Sequence, residues 1–322
     1  SVYISAVYDA SAQKVVIAYE DGGNSGYGTA IVGTVSGTSI SFGSAAVFES
    51  ADTKYHSAVY DANAGKVVIA YRDDGNSNYG TAIVGTVSDT SISFGSAAVF
   101  ESASVDEISA AYDVNAQKVV IAYKDRDNND YGTAIVGTVS GTSISFGSAA
   151  VFESAATYEP SAVYTDNAQK VAIAYRDGGN SNYGTVIVAT VSGTSISFGT
   201  AVVFESGATD FISAVYEANA QNVVIAYEDE GNSDYGTAVV FQNAFTSKNL
   251  TSENYIGIAE YAAADTETAT VLIKGGVSTT QSSLTPGQTY FVQTDGTIGT
   301  SAGTPSVTAG TAVTSTKLIV KG

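Results

Sequence analysis

The chain has 322 residues, 44% hydrophobic and 14% charged, which is apolar enough to bury a substantial core and excludes a disordered chain. Thirty-two Asp and Glu stand against 13 Lys and Arg; the formal charge of −19, with no basic patch to offset it, excludes nucleic acid as an expected partner and suits cations or neutral sugars. Without cysteine there is no disulfide framework, and without a run of about 20 apolar residues there is no spanning helix, so membrane insertion is not expected. Methionine is absent even at position 1, which reads as a processed chain or a fragment.

Tyrosines set the period. Tyr8, Tyr60, Tyr112, Tyr164 and Tyr216 stand at steps of 52, and so do Tyr27, Tyr79, Tyr131, Tyr183 and Tyr235. Residues 27–51 and 131–155 are identical, the mark of a recent duplication. Within one unit four strand signals follow each other: Ser5 to Asp9, Lys14 to Tyr19, Tyr27 to Val35 and Ser39 to Glu49. The second is continuously apolar, as a strand covered on both faces is. The fourth puts Ile40, Phe42, Ala46 and Phe48 on one face, with Gly43 reading as a bulge or bend. Helical periodicity is absent.

Four short antiparallel strands in tandem repetition describe the blade of a β-propeller. The expected fold is therefore all-β: a five-bladed propeller of 52-residue four-stranded repeats over 1–245, followed by a small β-sandwich or barrel over 246–322. The repeats are 1–51, 52–103, 104–155, 156–207 and 208–245, and the last has no counterpart of SISFGSAAVFES. Ser1 aligns with Thr53, so the chain starts within a unit. Three explanations are open: a three-stranded fifth blade, an edge covered by the second domain, or upstream residues that complete the ring. Beyond Thr246 the strand signals are Tyr255 to Tyr261, Thr268 to Lys274, Thr289 to Thr294 and Lys317 to Val320, with turns at Pro286-Gly287 and Asp295-Gly296.

Two sets of residues are candidates for binding. In the loop between the second and third strands an Asp, Asn and Tyr recur: Asp21, Asn24, Tyr27; Asp73, Asn76, Tyr79; Asp125, Asn128, Tyr131; Asp177, Asn180, Tyr183; Asp229, Asn232, Tyr235. They read as hairpin turns built on Asx bonds, as a repeated sugar site, or as a weak calcium loop at Asp125, which lacks the Gly and distal Glu of an EF-hand. The second set comes from the joins between units, the windows where near-identical copies differ. They carry Tyr3, Lys54, Tyr55, His56, Asp106, Glu107, Tyr158, Glu159, Asp210 and Phe211. In a propeller each join leads into an innermost strand, so these residues should ring one mouth of the central channel and form a recognition surface, unless the variation reflects a loop under little constraint. Residue 20 of the unit changes sign, as Glu20, Arg72, Lys124, Arg176 and Glu228, and reads as a solvated strand end.

Catalysis is not expected. Glu49, Glu101, Glu153 and Glu205 recur on separate blades rather than as a close acid and base pair. His56 is the only histidine, with no nucleophile elbow beside it and no second imidazole or thiolate for a metal. No metal site and no cofactor are implied.

The unit VVIAYRDxGNSNYGTAIVGTVSGTSISFGS resembles tandem repeats in structural proteins of marine phages, cyanophages among them, and in some marine bacterial surface proteins. The segments NLTSENYIGIAEYAAADTETATVLIKGGV, LTPGQTYFVQTDGTIGT and VTAGTAVTSTKLIVKG are similar to a module that ends phage structural and tail-fibre proteins. The resemblance implies a non-enzymatic virion appendage or capsid-surface protein, oligomeric, partnered with other virion subunits and adhering to host glycans. A secreted lectin or adhesin, and a capsid decoration protein without receptor role, are the alternatives.

Overall fold

A computed structural model describes residues 2–242, 257–259, 271–292, 298–302 and 306–321. The chain divides into two compact units, Ser1–Asn243 and Ala244–Gly322.

The first unit is a β-propeller of five blades. Blade 1 holds β1 (Val2–Asp9), β2 (Lys14–Asp21), β3 (Tyr27–Ser36), β4 (Ser39–Phe42) and the first half of β5 (Ala46–Asp61). Blade 2 takes the second half of β5, then β6 (Lys66–Asp73), β7 (Tyr79–Ser88), β8 (Ser91–Phe94) and the start of β9 (Ala98–Asp113). Blade 3 continues with β10 (Lys118–Asp125), β11 (Tyr131–Ser140), β12 (Ser143–Phe146) and β13 (Ala150–Thr165). Blade 4 has β14 (Lys170–Asp177), β15 (Tyr183–Ser192), β16 (Ser195–Phe198) and β17 (Val202–Glu217), and blade 5 ends on β18 (Asn222–Asp229) and β19 (Tyr235–Phe241). Every ladder is antiparallel, and β5, β9, β13 and β17 each serve as outer strand of one blade and inner strand of the next.

The fourth strand differs from the continuous Ser39 to Glu49 expected from its sequence. It is broken into β4, on the far half of β3, and β5, on the near half. Gly43 lies in the break because the next blade comes too close for a side chain: a Cβ there would stand 1.8 Å from the Thr90 carbonyl oxygen. Gly95 and Gly147 meet Thr142 and Thr194 in the same way, while Gly199 has no such neighbour.

Blades stack through two complementary faces. Val16, Ala18, Ala30, Val32 and Phe48 of blade 1 pack on Val67, Ile69, Tyr71, Ile83 and Ile92 of blade 2. The same layer recurs between blades 2 and 3, 3 and 4, and 4 and 5. Each large side chain buried there stabilises by about 1.5–3 kcal/mol relative to exposure. Two sets of polar side chains enclosed with them are paired across the interface, as the cost of burying polar groups favours. Tyr71, Tyr123, Tyr175 and Tyr227 bond Glu49, Glu101, Glu153 and Glu205 of the preceding unit. Ser5, Ser57, Ser109 and Ser161 accept, at 2.9 Å, backbone N–H bonds from the next blade.

Five blades thus share four interfaces. Among the described residues no ladder, apolar cluster or hydrogen bond joins blade 5 to blade 1. Tyr8, Ile40 and Phe42 on one end blade, and Val215 and Val240 on the other, are 45–59% exposed. Blade 5 has three strands among those residues, and its sequence fits that state. Phe241 stands where Gly33, Gly85 and Gly137 stand in earlier units, and packs on the core between blades 4 and 5. In those earlier units that space holds the isoleucine and phenylalanine of the fourth strand.

The second unit has a five-stranded sheet, from β22 (Val277–Ser278), β23 (Thr289–Val292), β24 (Ile298–Gly299), β25 (Thr308–Ala312) and β26 (Leu318–Val320), in the order β22-β26-β25-β23-β24. A second, two-stranded sheet pairs β20 (Ile258–Ala259) with β21 (Val271–Leu272) and sets Ile258 and Leu272 on the core of Leu284, Tyr290, Ala312, Leu318 and Val320. Gly287, with φ of +81°, makes the Pro286-Gly287 turn that position i+2 of a type II turn calls for. The Asp295-Gly296 turn lies outside the described residues. So do most of Tyr255 to Tyr261 and the first three residues of Thr268 to Lys274, whose described part contains β21. β22, β24 and β25 carry too few β-branched runs to be read from sequence.

Candidate functional site

The windows between units sit on a bulge at the entry of each innermost strand. Register shifts between Lys54 and Ser57, Tyr158 and Ser161, and Asp210 and Ser213 mark it. At that bulge Tyr3, Tyr55, Glu107, Glu159 and Phe211 all adopt φ between 50° and 54°. A left-handed residue other than glycine costs roughly 1–2 kcal/mol, so this strain is built in five times over.

The bulge splits each window in two. Tyr3, Tyr55, Glu107, Glu159 and Phe211, with Ile4, His56, Ile108, Pro160 and Ile212 after them, line one cavity of about 490 Å³ at the channel mouth. Lys54, Asp106, Tyr158 and Asp210 do not line it. They turn to the blade boundary, where Asp106, Tyr158 and Asp210 meet residue 20 of the preceding unit and Lys54 bonds Asp74 at 2.7 Å. Arg72 pairs with Asp106, and Arg176 with Asp210 at 2.8 Å. Lys124 stands 4.2 Å from the centre of the Tyr158 ring, which also faces Arg176 at 5.2 Å. Glu20 lies in the field of Lys54. The solvated strand end expected at residue 20 is corrected: Lys124 is 8% exposed, because the pairing partner of the next blade covers it. Each pair spans 34 residues, and opposite signs at that offset were the signal available in the sequence.

Within the cavity the aromatic and acidic groups are held firmly. Tyr3 and Tyr55 lie with ring centres 4.8 Å apart, and burial next to Asp106 pushes the Tyr55 hydroxyl up to about 12. Pro160 offers no N–H, so Glu107 Oε2 accepts from Glu159 N at 2.8 Å, while Glu159 Oε2 accepts from Ile212 N at 3.1 Å. Burial raises both carboxyls above the ordinary range. One oxygen of each is thereby spent on the fold, and the other oxygen of Glu107 lies 3.8 Å from Lys124 Nζ. His56 is buried, with Nδ1 2.8 Å from the Tyr3 carbonyl oxygen and Nε2 2.8 Å from Thr53 Oγ1. Burial lowers its basicity.

The loop residues stand on the same face, outside the windows, since β2, β6, β10, β14 and β18 end there. Their aspartates serve the turn. Asp21, Asp73 and Asp177 accept from the backbone N–H two residues on, at 2.9–3.1 Å, and Asp125 accepts from Asn128 N at 3.3 Å; Asp229 makes no such bond. Asn24, Asn76, Asn180 and Asn232 are exposed and Asn128 half-buried. Tyr27, Tyr79, Tyr131 and Tyr183 are half-buried beside the ladder, and Tyr235 is 63% exposed. Spread over separate blades, the triads form no single cavity. Among the described residues no cluster of three or more His, Asp or Glu is arranged to hold a metal ion.

No family model and no curated protein sequence matches the chain. Among solved structures, a protein of unknown function from Dyadobacter fermentans is similar with a TM-score of 0.52 and 12% identity, over 76% of this chain and 80% of that one. The SapL1 lectin, solved with α-methyl fucoside, gives a TM-score of 0.48 at 12% identity over 75% of this chain and 76% of that one. An exo-β-1,3-galactanase from Phanerochaete chrysosporium, solved with β-1,3-galactotriose, gives 0.48 at 10% identity, over 94% and 67%. At such identities the likeness concerns fold alone.

Proposed function

We propose that the protein is a non-enzymatic carbohydrate-binding propeller that seats a neutral sugar at the mouth of its central channel. The observation that carries this reading is the composition of the cavity: three aromatic rings, Tyr3, Tyr55 and Phe211, face two carboxylates, Glu107 and Glu159, across about 490 Å³. That volume lies within the range of small-molecule sites. Flat rings offer the apolar face a pyranose C–H surface needs, and carboxylate oxygens accept from its hydroxyls. Both carboxylates are tied to backbone N–H groups, which favours holding a ligand over moving protons. The setting we propose is a virion surface, with the second unit serving assembly and host glycans as ligand; its support is the resemblance of the repeats and end module to phage structural proteins. Repetition of the unit in an oligomer would turn sites of about 1 mM, worth about −4 kcal/mol each, into useful avidity.

A glycan array followed by calorimetry tests the binding. Saturable binding of a neutral glycan, weakened 10-fold or more by Tyr55→Ala and by Glu159→Gln, is expected. A folded protein that retains no glycan, or turnover of a glycan abolished by Glu107→Gln, would overturn it. Immunogold labelling of purified particles tests the setting: label confined to the medium would place the protein among secreted lectins instead.

A further inference from the structure

Among the described residues the last blade leaves open a slot that the other four blades fill. In blades 1 to 4 the near half of the third strand begins Tyr-Gly-Thr, and the glycine lies under an aromatic ring from the outer strand. A Cβ on Gly28, Gly80 or Gly184 would stand 2.4 Å from the ring of Phe48, Phe100 or Phe204, and one on Gly132 would stand 2.5 Å from Phe152. Blade 5 keeps the glycine, as Gly236 in Tyr235–Phe241, yet a Cβ there would meet nothing within 4 Å. Over it opens a cavity of about 500 Å³, lined by Phe211, Ala226, Tyr227, Glu228, Gly236, Thr237 and Ala238. Beside the slot runs the free edge of β19, which pairs with β18 alone among the described residues.

We propose that this slot and edge form an acceptor site for an extended segment of another polypeptide, which adds as a strand to β19 and places a phenylalanine over Gly236. The four occupied copies of the site within the chain specify the occupant. In blade 4, Val186 pairs with Val202, Thr185 with Val203 and Gly184 with Glu205, so that Phe204 falls over the glycine. The same register on β19 sets small, Val, Phe and Glu residues opposite Ala238, Thr237 and Gly236. Main-chain bonds give such a strand its affinity, and the slot gives it specificity, as in other strand-addition complexes. A second copy of this chain is a poor source, because its own four Phe-Glu strands are already paired. The far half of β19 is closed to the fourth-strand pattern: Phe241 occupies the room that Ile40 and Phe42 take above Gly33. The motif recognised is therefore short, centred on Val-Phe-Glu.

The test is fluorescence anisotropy of the whole chain with a labelled, blocked peptide of the sequence AVVFES, which is that of residues 201–206. Saturable binding is expected, weakened at least 10-fold when the peptide phenylalanine is replaced by alanine. Gly236→Val in the protein should weaken it as much, since nothing but the incoming ring occupies that space; Ala238→Glu, on the slot wall, provides a second block should the first variant misfold. Equal binding of the two peptides would reduce the site to a generic sheet edge and overturn the proposal. So would equal binding of blocked phenylalanine amide, which would make the slot a pocket for a free ring, or no binding at all, the result expected if the chain fills its own slot. Phe211 lines both cavities, but neither substitution touches a residue of the channel mouth, so failure of the peptide test leaves the glycan test to be read on its own.

Discussion

His56 combines two roles in one imidazole. It lies in the mouth wall, and its Nδ1 reaches the Tyr3 carbonyl of the preceding blade while Nε2 meets Thr53 Oγ1. Burial holds the folded ring neutral, with Asp52 and the Tyr3 carbonyl opposing that shift only in part. The folded pKa therefore lies below the unfolded value of about 6.5. The unfolded chain binds the proton first, so the stability contributed by neutral His56 is full above about pH 6.5 and is lost as pH falls through the window below it. Thermal melts of wild type and His56→Gln from pH 8 to pH 5 check this: the melting temperatures should converge as the pH drops, and a constant difference would show that the ring does not titrate in the fold. What acid costs is the bond at Nε2, which accepts from Thr53 Oγ1 only while the ring is neutral; the Nδ1–H bond to the Tyr3 carbonyl survives protonation.

At the level of the element, much of the fold was open to reading from pattern. The alternating Ile40 and Phe42, the continuously apolar Val15 to Ala18 and the Asx turns at Asp21, Asp73 and Asp177 each depend on near neighbours, and these became strands and turns. What escaped was set by contacts between blades. Gly43 looked like a bend because its real constraint, the Thr90 carbonyl, comes from the following unit. The windows looked like one recognition surface, yet alternate residues on a bulge point to different partners, and only half of each lines the cavity. The other half carries the ion pairs Arg72 with Asp106 and Arg176 with Asp210, while Lys54, in the field of Glu20, bonds Asp74 of its own unit. Near-identical blades could otherwise stack in any order, so these pairs act as specificity devices more than as stabilisers. A double-mutant cycle on Arg72→Ala and Asp106→Ala, followed by denaturant unfolding, should return a coupling of about 1–3 kcal/mol, the upper range for contacting charged groups. Reversing both charges should recover part of it. Additive losses would leave the variation of the windows without this explanation. Glu228, which meets no following blade among the described residues, should tolerate reversal to Lys without effect.

For the propeller as a whole, the number of interfaces matters more than the number of blades. A repeat array in which each unit touches only its neighbours has a stability close to a sum of unit and interface terms. Among the described residues blades 2, 3 and 4 each have two interfaces, whereas blades 1 and 5 have one. The side chains report the difference: Val67, Ile69 and Tyr71 of blade 2 are fully buried, while Val15, Ile17 and Tyr19, at the same positions in blade 1, are half-exposed. Among the described residues Tyr19 has no carboxylate bond like those that Glu49, Glu101, Glu153 and Glu205 make with its counterparts. Blade 5 loses, in addition, the ladder of a fourth strand. Opening of an end blade therefore breaks one interface and opening of a middle blade breaks two. Native-state hydrogen exchange read by mass spectrometry should show amides of β2 and β18 exchanging first, and those of β6, β10 and β14 about 10-fold more slowly or beyond, since a ratio of ten needs only about 1.4 kcal/mol of difference. Equal protection in all five blades would mean that the ends are joined in solution. A strand added at β19 should raise protection in β18 and β19 first, because the ladder it completes belongs to blade 5, and should leave the exchange of β6 and β10 unchanged.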